Sequence, residues 1–495
     1  MTTTTLPKSK LLAFRQCPRR LYLQVHEPSV AEPSTGSDAR LMEGQRVGEV
    51  ARSFYPEGVL ILGDRFSQAL SATQSCLTDS RRRVLFEPAF EHKDVAVRAD
   101  VLVPAGRHYD LVEVKSATRL KDHYPADVAI QASVLTGAGL KLRHLTLSHI
   151  NRDFVYPGGG CYHEKRRNGR VNSLFTECDV TDSANTLVPE VARWAHAARR
   201  TLSGKMPPRT DACHDPVECE FQGYCYPQET KYPIEWLPRI RAETLDALHR
   251  RGYRDIRDIP EGVLKTPIQE WVRAVTVKRR ADLRPGAREV IAALPYPRYY
   301  LDFETIQFAV PIWKGTSPYH QVPFQWSCHI EKDRRTIRHE AFLDLSGEDP
   351  SRAFAQALIA ATGKKGPILV YNRGFEAGIV RALANRYRDL TVPLKAIESR
   401  LVDLLPITRK HYYHPAMGGS WSIKAVLPTI GAGLDYADLE EVQDGGGAQA
   451  AYLEAIAPDT TRGRKAALKK ALTEYCKLDT WGMVALARFL ESAKR

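Results

Sequence analysis

Hydrophobic and polar positions divide the chain into three stretches by their rhythm. To about residue 233, helix-spaced and strand-spaced segments are mixed. Residues 8–24, KSKLLAFRQCPRRLYLQ, predict one amphipathic helix, with Ser9 as its N-cap and Pro18 near its end. Residues 94–104, DVAVRADVLVP, and 109–118, YDLVEVKSAT, read as strands joined by the turn PAGR. Residues 126–139, ADVAIQASVLTGAG, form a helix stopped by glycine, and 143–157 form a further strand running into the glycines 158–160.

From about 234 to 287 the rhythm is helical. RAETLDALHRRGYRDIRDIP reads either as a helix-hairpin-helix unit that offers backbone N–H groups to phosphates or as a plain helical connector. LRPGAR is a linker. From about 288 the α/β rhythm returns. RYYLDFETIQF and GPILVYN are strands; GFEAGIVRALANRY, SWSIKAVLPTI and the long segment 468–494 are helices, and DGGGAQAA is a short loop. The expected fold class is α/β (α+β). Three segments are expected: a mixed-sheet domain over 1–233, a helical middle over 234–287 and an α/β domain over 288–495.

Composition sharpens this picture in two ways. The 495 residues carry a formal net charge of +13, which favours polyanion partners, nucleic acid first. No apolar run is long enough to span a bilayer, and no signal peptide is legible, so a cytoplasmic protein is expected. The nine cysteines are odd in number. In a chain of this size they read as thiols and metal ligands, not a disulfide framework.

Glu113 and Lys115 are two apart on a strand and so share a face. The strand before it carries Asp100, which a hairpin brings alongside. Asp100 and Glu113 could hold Mg²⁺ or Mn²⁺ through oxygen, with Lys115 beside the metal-bound water. Alone, an E-x-K is more often a solvated strand face. Asp100, the ExK pair and Gln131 on the next helix together resemble the PD-(D/E)xK nucleases of the RecB type. That resemblance implies a restriction-endonuclease-like mixed sheet. Its usual early-helix histidine is absent. LMEGQRVGEVAR places Gly48 there with Glu49 beside it, and Glu49 is the candidate ligand.

Cys213, Cys219 and Cys225 are evenly spaced in ACHDPVECEFQGYCYP, and a closed site wants a fourth ligand. Zinc sites favour tighter C-x₂₋₄-C knuckles. With LLAFRQCPRRLYLQ near the start and CEFQGYC, the chain resembles the iron–sulfur subset of the RecB-like nucleases, the CRISPR-associated exonuclease type. The resemblance implies a [4Fe–4S] cluster on Cys17, Cys213, Cys219 and Cys225, tying together the ends of the first domain.

The last third carries a second set. Asp302 and Glu304 share a strand face. NRGFE carries Glu376 behind the next strand, and Tyr475 and Asp479 are one helical turn apart in EYCKLDT. This order resembles the DEDD exonucleases of the RNase H-like fold, in the variant with a tyrosine before the last aspartate. The resemblance implies two metal ions on Asp302, Glu304, Glu376 and Asp479, with Tyr475 orienting water. The family's second motif ends in aspartate, where this chain has Glu376. HPAMGGSWSIKAVLP and EYCKLDT further resemble an uncharacterised bacterial family found behind RecB-like iron–sulfur domains. The expected function is a metal-dependent nuclease on DNA or RNA, serving repair, recombination or defence. The alternative is a nucleic-acid-binding scaffold with one or both sites degenerate.

Overall fold

In the computed structural model, residues 5–493 are described, apart from 33–36, 166–170, 229, 432, 435–438 and 440. The chain divides into two compact units. The first comprises Met1–Pro227 with Gln307–His320; the second comprises Gln228–Ile306 with Gln321–Arg495. The fold is α+β throughout.

The first unit opens with α1 (Lys8–Gln16) and α2 (Pro18–His26), where one helix was expected. Cys17 between them is extended, at φ −156° and ψ 118°. Pro18 has no N–H to donate, so it starts the second helix instead of ending the first. Ser9 lies inside α1, which Pro7 precedes. Next come α3 (Ser37–Ser53), β1 (Val59–Leu60), β2 (Leu85–Phe86), β3 (Val101–Ala105), β4 (His108–Lys115), α4 (Tyr124–Gly137), β5 (Leu142–Ile150), β6 (Phe175–Asp179) and α5 (Thr181–Ser203). The six strands form one mixed sheet in the order β6-β5-β4-β3-β2-β1. The strand expected over 94–104 breaks at Ala99–Asp100. Val95–Arg98 pairs into a separate three-stranded sheet, and Asp100 sits at the break before β3. β3 and β4 form the expected hairpin, with Val101 opposite Val112. Tyr109, Leu111, Glu113 and Lys115 alternate onto one face of β4. The core on this unit's helical side packs Leu111, Leu147, Ile130 and Leu135, all fully buried. Residues 307–320 run over another part of this unit. Ala309 and Val310 pack with Val47, Val50, Phe154 and Phe175, and Gly315 N–H donates to the Tyr156 carbonyl at 2.8 Å.

The second unit contains α6 (Ala242–Arg250) and α7 (Pro267–Lys278). Residues 251–266, with a 3₁₀ turn at Ile256–Asp258, separate them, so the tight helix-hairpin-helix alternative is not what forms. Nor does the segment stand alone as a connector. Leu248, Ile256, Trp271 and Val275 share a core with Tyr300, Tyr412 and Val484. Then follow β7 (Arg298–Ile306), β8 (Val322–Glu331), β9 (Ile337–Leu343), α8 (Ser351–Thr362), β10 (Ile368–Val370), α9 (Arg373–Arg386), β11 (Leu401–Asp403), α10 (Gly445–Ile456) and α11 (Arg462–Glu491). The sheet order is β9-β8-β7-β10-β11, the first three antiparallel and the last two parallel to β7. DGGGAQAA is no loop: the Asp444 carboxylate accepts from Gly447 N at 2.7 Å and starts α10 on glycines.

Candidate functional sites

In the first unit, β4 and α4 bring together one charged cluster. Lys115 Nζ lies 2.6 Å from Glu113 Oε1 and 2.6 Å from Asp127 Oδ2. Gln131 Nε2 donates to Glu113 Oε2 at 2.8 Å and to Asp127 Oδ1 at 3.1 Å. Two members escaped the sequence reading. Lys8, at the start of α1, lies 3.0 Å from Glu113 and 2.8 Å from Asp127. Asp127 sits one turn before Gln131, on the same face of α4. That spacing was visible in the sequence; the arrival of Lys8 from more than a hundred residues away was not.

Asp100 accepts the Val114 N–H at 2.7 Å. Burial, then the Glu113 charge, push its carboxyl up to about 8. Burial alone would raise Glu113 too, but Lys8 and Lys115 overrule it and hold Glu113 well below the usual carboxylate range. Burial would likewise lower Lys115, yet Glu113 and Asp127 hold it well above its ordinary value. Glu113 and Asp127 are thus already compensated by two ammonium groups. A divalent ion on Asp100 and Glu113 would have to displace a lysine, so the fit for a metal here is poor. Glu49 does not join: its side chain is 50 % exposed and pairs with Arg46 at 2.9 Å. Glu43, nearly two turns earlier on α3, accepts from Tyr319 Oη at 3.0 Å, and the same hydroxyl contacts the carbonyl of Ser116 at 2.6 Å.

Cys17, Cys213, Cys219 and Cys225 line one small cavity with Arg19 and Arg209. Burial, and then the other three thiols, push Cys213 up. Among the described residues, no three of these sulfurs lie within 4.8 Å of one another. Four sulfurs around one zinc ion would stand about 3.8 Å apart, given a Zn–S bond of about 2.3 Å.

The second unit holds a different kind of centre. Asp302 and Glu304 project from β7, and Asp479 from α11; one carboxylate oxygen of each lies within 4.8 Å of the others. The register slips between Glu304 and Thr305, a bulge at the end of the acidic pair. A polar network sets α11 against the sheet: Thr480 Oγ1 lies 2.8 Å from Ser327 Oγ and 2.9 Å from His329 Nδ1. Glu376 comes in on the first turn of α9. It is 2 % exposed and its Oε2 has no hydrogen-bond partner. Burial, then Asp479, Glu304 and Glu376, push Asp302 well above the usual carboxylate range. Burial, then Asp479, push Glu304 up to about 8, against the pull of Lys424. Burial pushes Glu376 up to about 8.

Tyr475 is buried one turn before Asp479, and the Lys424 ammonium lies 5.3 Å from its ring centroid. The Cys476 thiol lies 3.9 Å from Asp302 Oδ2; burial, then the acids, keep it protonated. Asp403 has another task. Its carboxylate accepts from Asn372 N and Arg373 N at 3.0 Å and from Leu405 N at 2.9 Å, so it ties the start of α9 to the end of β11.

Here like charges crowd without enough cationic compensation, and one buried acceptor is orphaned. An all-oxygen donor set of this kind fits a hard divalent cation. The family described as Domain of unknown function (DUF2779) matches residues 299–422. The matched stretch holds Asp302, Glu304 and Glu376 and ends before Tyr475 and Asp479. No curated protein matches the chain.

Proposed function

We propose that the chain is a metal-dependent nuclease that hydrolyses phosphodiester bonds in DNA or RNA, with its principal active site in the second unit. The observation that carries this reading is the Asp302–Glu304–Asp479 cluster, with the buried Glu376 carboxylate beside it, one of whose oxygens has no hydrogen-bond partner. The sheet order, with three antiparallel strands and two parallel ones, supports the RNase H-like assignment. Mg²⁺ or Mn²⁺ held by Asp302, Glu304, Glu376 and Asp479 would neutralise phosphate charge and lower the pKa of a bound water. The chain's own groups do the remaining work. Tyr475 offers its hydroxyl to orient the attacking water, and Lys424 places a positive charge beside the acids. A 3′-end exonuclease is the activity that the resemblance favours.

The first unit has a second reading, favoured by its two-lysine compensation. There the PD-(D/E)xK-like cluster is degenerate as a metal site and serves the fold, while cutting is done elsewhere. The four thiols around one cavity, together with the resemblance of their spacing to the iron–sulfur subset, favour a [4Fe–4S] cluster with a structural role. Cys17→Ser should then bleach visible absorbance and lower thermal stability together; a soluble, colourless and equally stable variant would count against it.

The nuclease reading is tested with labelled single- and double-stranded DNA and RNA in Mg²⁺ or Mn²⁺. Asp302→Asn should abolish cutting. It should also raise the melting temperature in EDTA, because removing one of several crowded acids relieves about 1–3 kcal/mol of repulsion and desolvation. Divalent ions should raise the melting temperature of the wild type and not that of the variant. Tight binding without cutting in either metal would leave the scaffold alternative standing. Lys115→Ala reads the first cluster separately.

A further inference from the structure

The second unit contains a cleft of about 500 Å³ that the acid cluster does not use. That size falls in the range of ordinary ligand sites, about 300–1,000 Å³. Its lining includes Tyr371, Trp421, Ile268 and Leu405; Trp421 is 4 % exposed, with its ring against Trp271 and Tyr413, so it offers the cleft only an edge beside Tyr371. Both aromatic groups are fixed: Tyr371 Oη donates to the Trp421 carbonyl at 2.6 Å, and Trp421 Nε1 donates to the Tyr412 carbonyl at 2.8 Å. The rim carries Arg239 and Arg409. Among the described residues neither guanidinium has an ion-pair or hydrogen-bond partner; Arg409 only rests 5.9 Å from the Trp421 ring centroid.

Two non-glycine residues of the rim are held in left-handed backbone, Arg239 at φ +51° and Asn372 at φ +77°. Such conformations cost free energy and persist where the surroundings enforce them. The loop that places Trp421 is enforced as well. A Cβ on Gly419, at φ +74°, would sit 1.7 Å from the Trp236 carbonyl oxygen, so only glycine lets the GGSW loop close against the segment before Arg239.

The cleft adjoins the acid site through two short links. Asn372 caps the helix whose first turn carries Glu376. Ser422 and Ile423 on the rim lead directly into Lys424, beside Tyr475. An apolar aromatic lining with two unpaired guanidinium groups fits a flat, weakly polar ring attached to an anion. We propose that this cleft binds one unpaired nucleotide of the strand presented to the acid cluster, its base against Tyr371 and the edge of Trp421 and its phosphate at Arg239 and Arg409. The proposal rests on the nuclease reading for what the neighbouring site does, and it makes single-stranded ends the substrate class. A paired base would first have to unpair and unstack, at a cost of a few kcal/mol.

The test uses the full chain carrying Asp302→Asn, in EDTA, so that nothing is cut. Fluorescein-labelled single-stranded octamers, one deoxyribose and one ribose, and a blunt DNA duplex are titrated by anisotropy. The octamers are expected to bind more tightly than the duplex, and the two sugar arms show which strand the cleft prefers. Arg239→Ala with Arg409→Ala should weaken octamer binding by about tenfold or more and reduce the salt slope by about 0.7, the share of one single-strand phosphate, with the melting temperature unchanged. Because Arg239 is exposed, its single variant keeps the test readable if the double variant melts early. Unchanged octamer binding, or equal losses on octamer and duplex, overturns the proposal. If the wild type cuts nothing in Mg²⁺ or Mn²⁺ while the arginine variants still lose octamer binding, the nuclease reading falls and the cleft stands. If the wild type cuts and the variants keep its KM and octamer affinity, the reverse holds.

Discussion

Single residues decide which of the two acidic centres asks for a cation. Around Glu113, Lys8 and Lys115 stand within 3.0 Å, and the cluster is close to neutral without any ion. Around Asp302 the Lys424 ammonium pulls on Glu304, yet burial and the neighbouring acids still drive the carboxyls toward protonation. Lys8→Met separates these cases. It leaves Glu113 and Asp127 sharing one lysine, at a cost of roughly 2–4 kcal/mol, below a fully buried pair because Lys8 keeps 20 % exposure. If Lys8 occupies a cation position, millimolar Mn²⁺ should restore most of the lost melting temperature. If it is only a structural partner, Mn²⁺ should restore none. The ExK pair, Asp100 and Gln131 were legible because strand alternation and helical spacing are local rules. Lys8 was not, since no local rule foretells a partner from another helix.

At the level of elements, legibility followed the same divide. The β3–β4 hairpin, α4, β7 and α9 appear where periodicity put them. The single N-terminal helix failed because Pro18 can begin a helix as readily as end one, and the glycine-rich loop failed because an Asp cap outweighs three glycines. The packing of α11 was out of reach, and it is what carries Asp479 to β7. It depends on Ser327, His329, His339 and Thr480, with Ser327 Oγ 2.8 Å from His339 Nε2. Burial, then His339 and Lys477, push His329 down to about 3, and burial lowers His339 as well. The unfolded chain takes up a proton near pH 6.5 that the folded chain refuses until about pH 3. Stability from this pocket is therefore complete above about pH 6.5 and is lost as pH falls. In thermal melts from pH 7.5 to 5 the wild type should lose more stability, or gain less, than His329→Gln, because the raised carboxyls of both acidic centres gain stability alike in the two proteins as pH falls. An equal slope in the variant would place the titration elsewhere.

On the scale of the whole molecule, the chain does not pass once from one unit to the other. It leaves the first at Pro227 and returns at Gln307–His320 before finishing the second. The returning segment buries Ala309 and Val310 to 1 % and 3 % exposure. Val310→Asp should destabilise the first unit by roughly 2–5 kcal/mol, by placing an unpaired charge in that packing. Calorimetry should show one transition moving down while the other stays. A single transition that moves as a whole would mean the units melt together.

That return also sets an order of events on the ribosome. Cys17, Cys213, Cys219 and Cys225 are all synthesised by residue 225, yet the first unit stays incomplete until residue 320 has emerged. At about 5–20 residues per second, this leaves an interval of several seconds or more. During it the thiols are assembled while the patch around Val47 and Phe154 is still uncovered. A nascent chain stalled before residue 307 should therefore attract chaperones, and one stalled well past 320 should shed them.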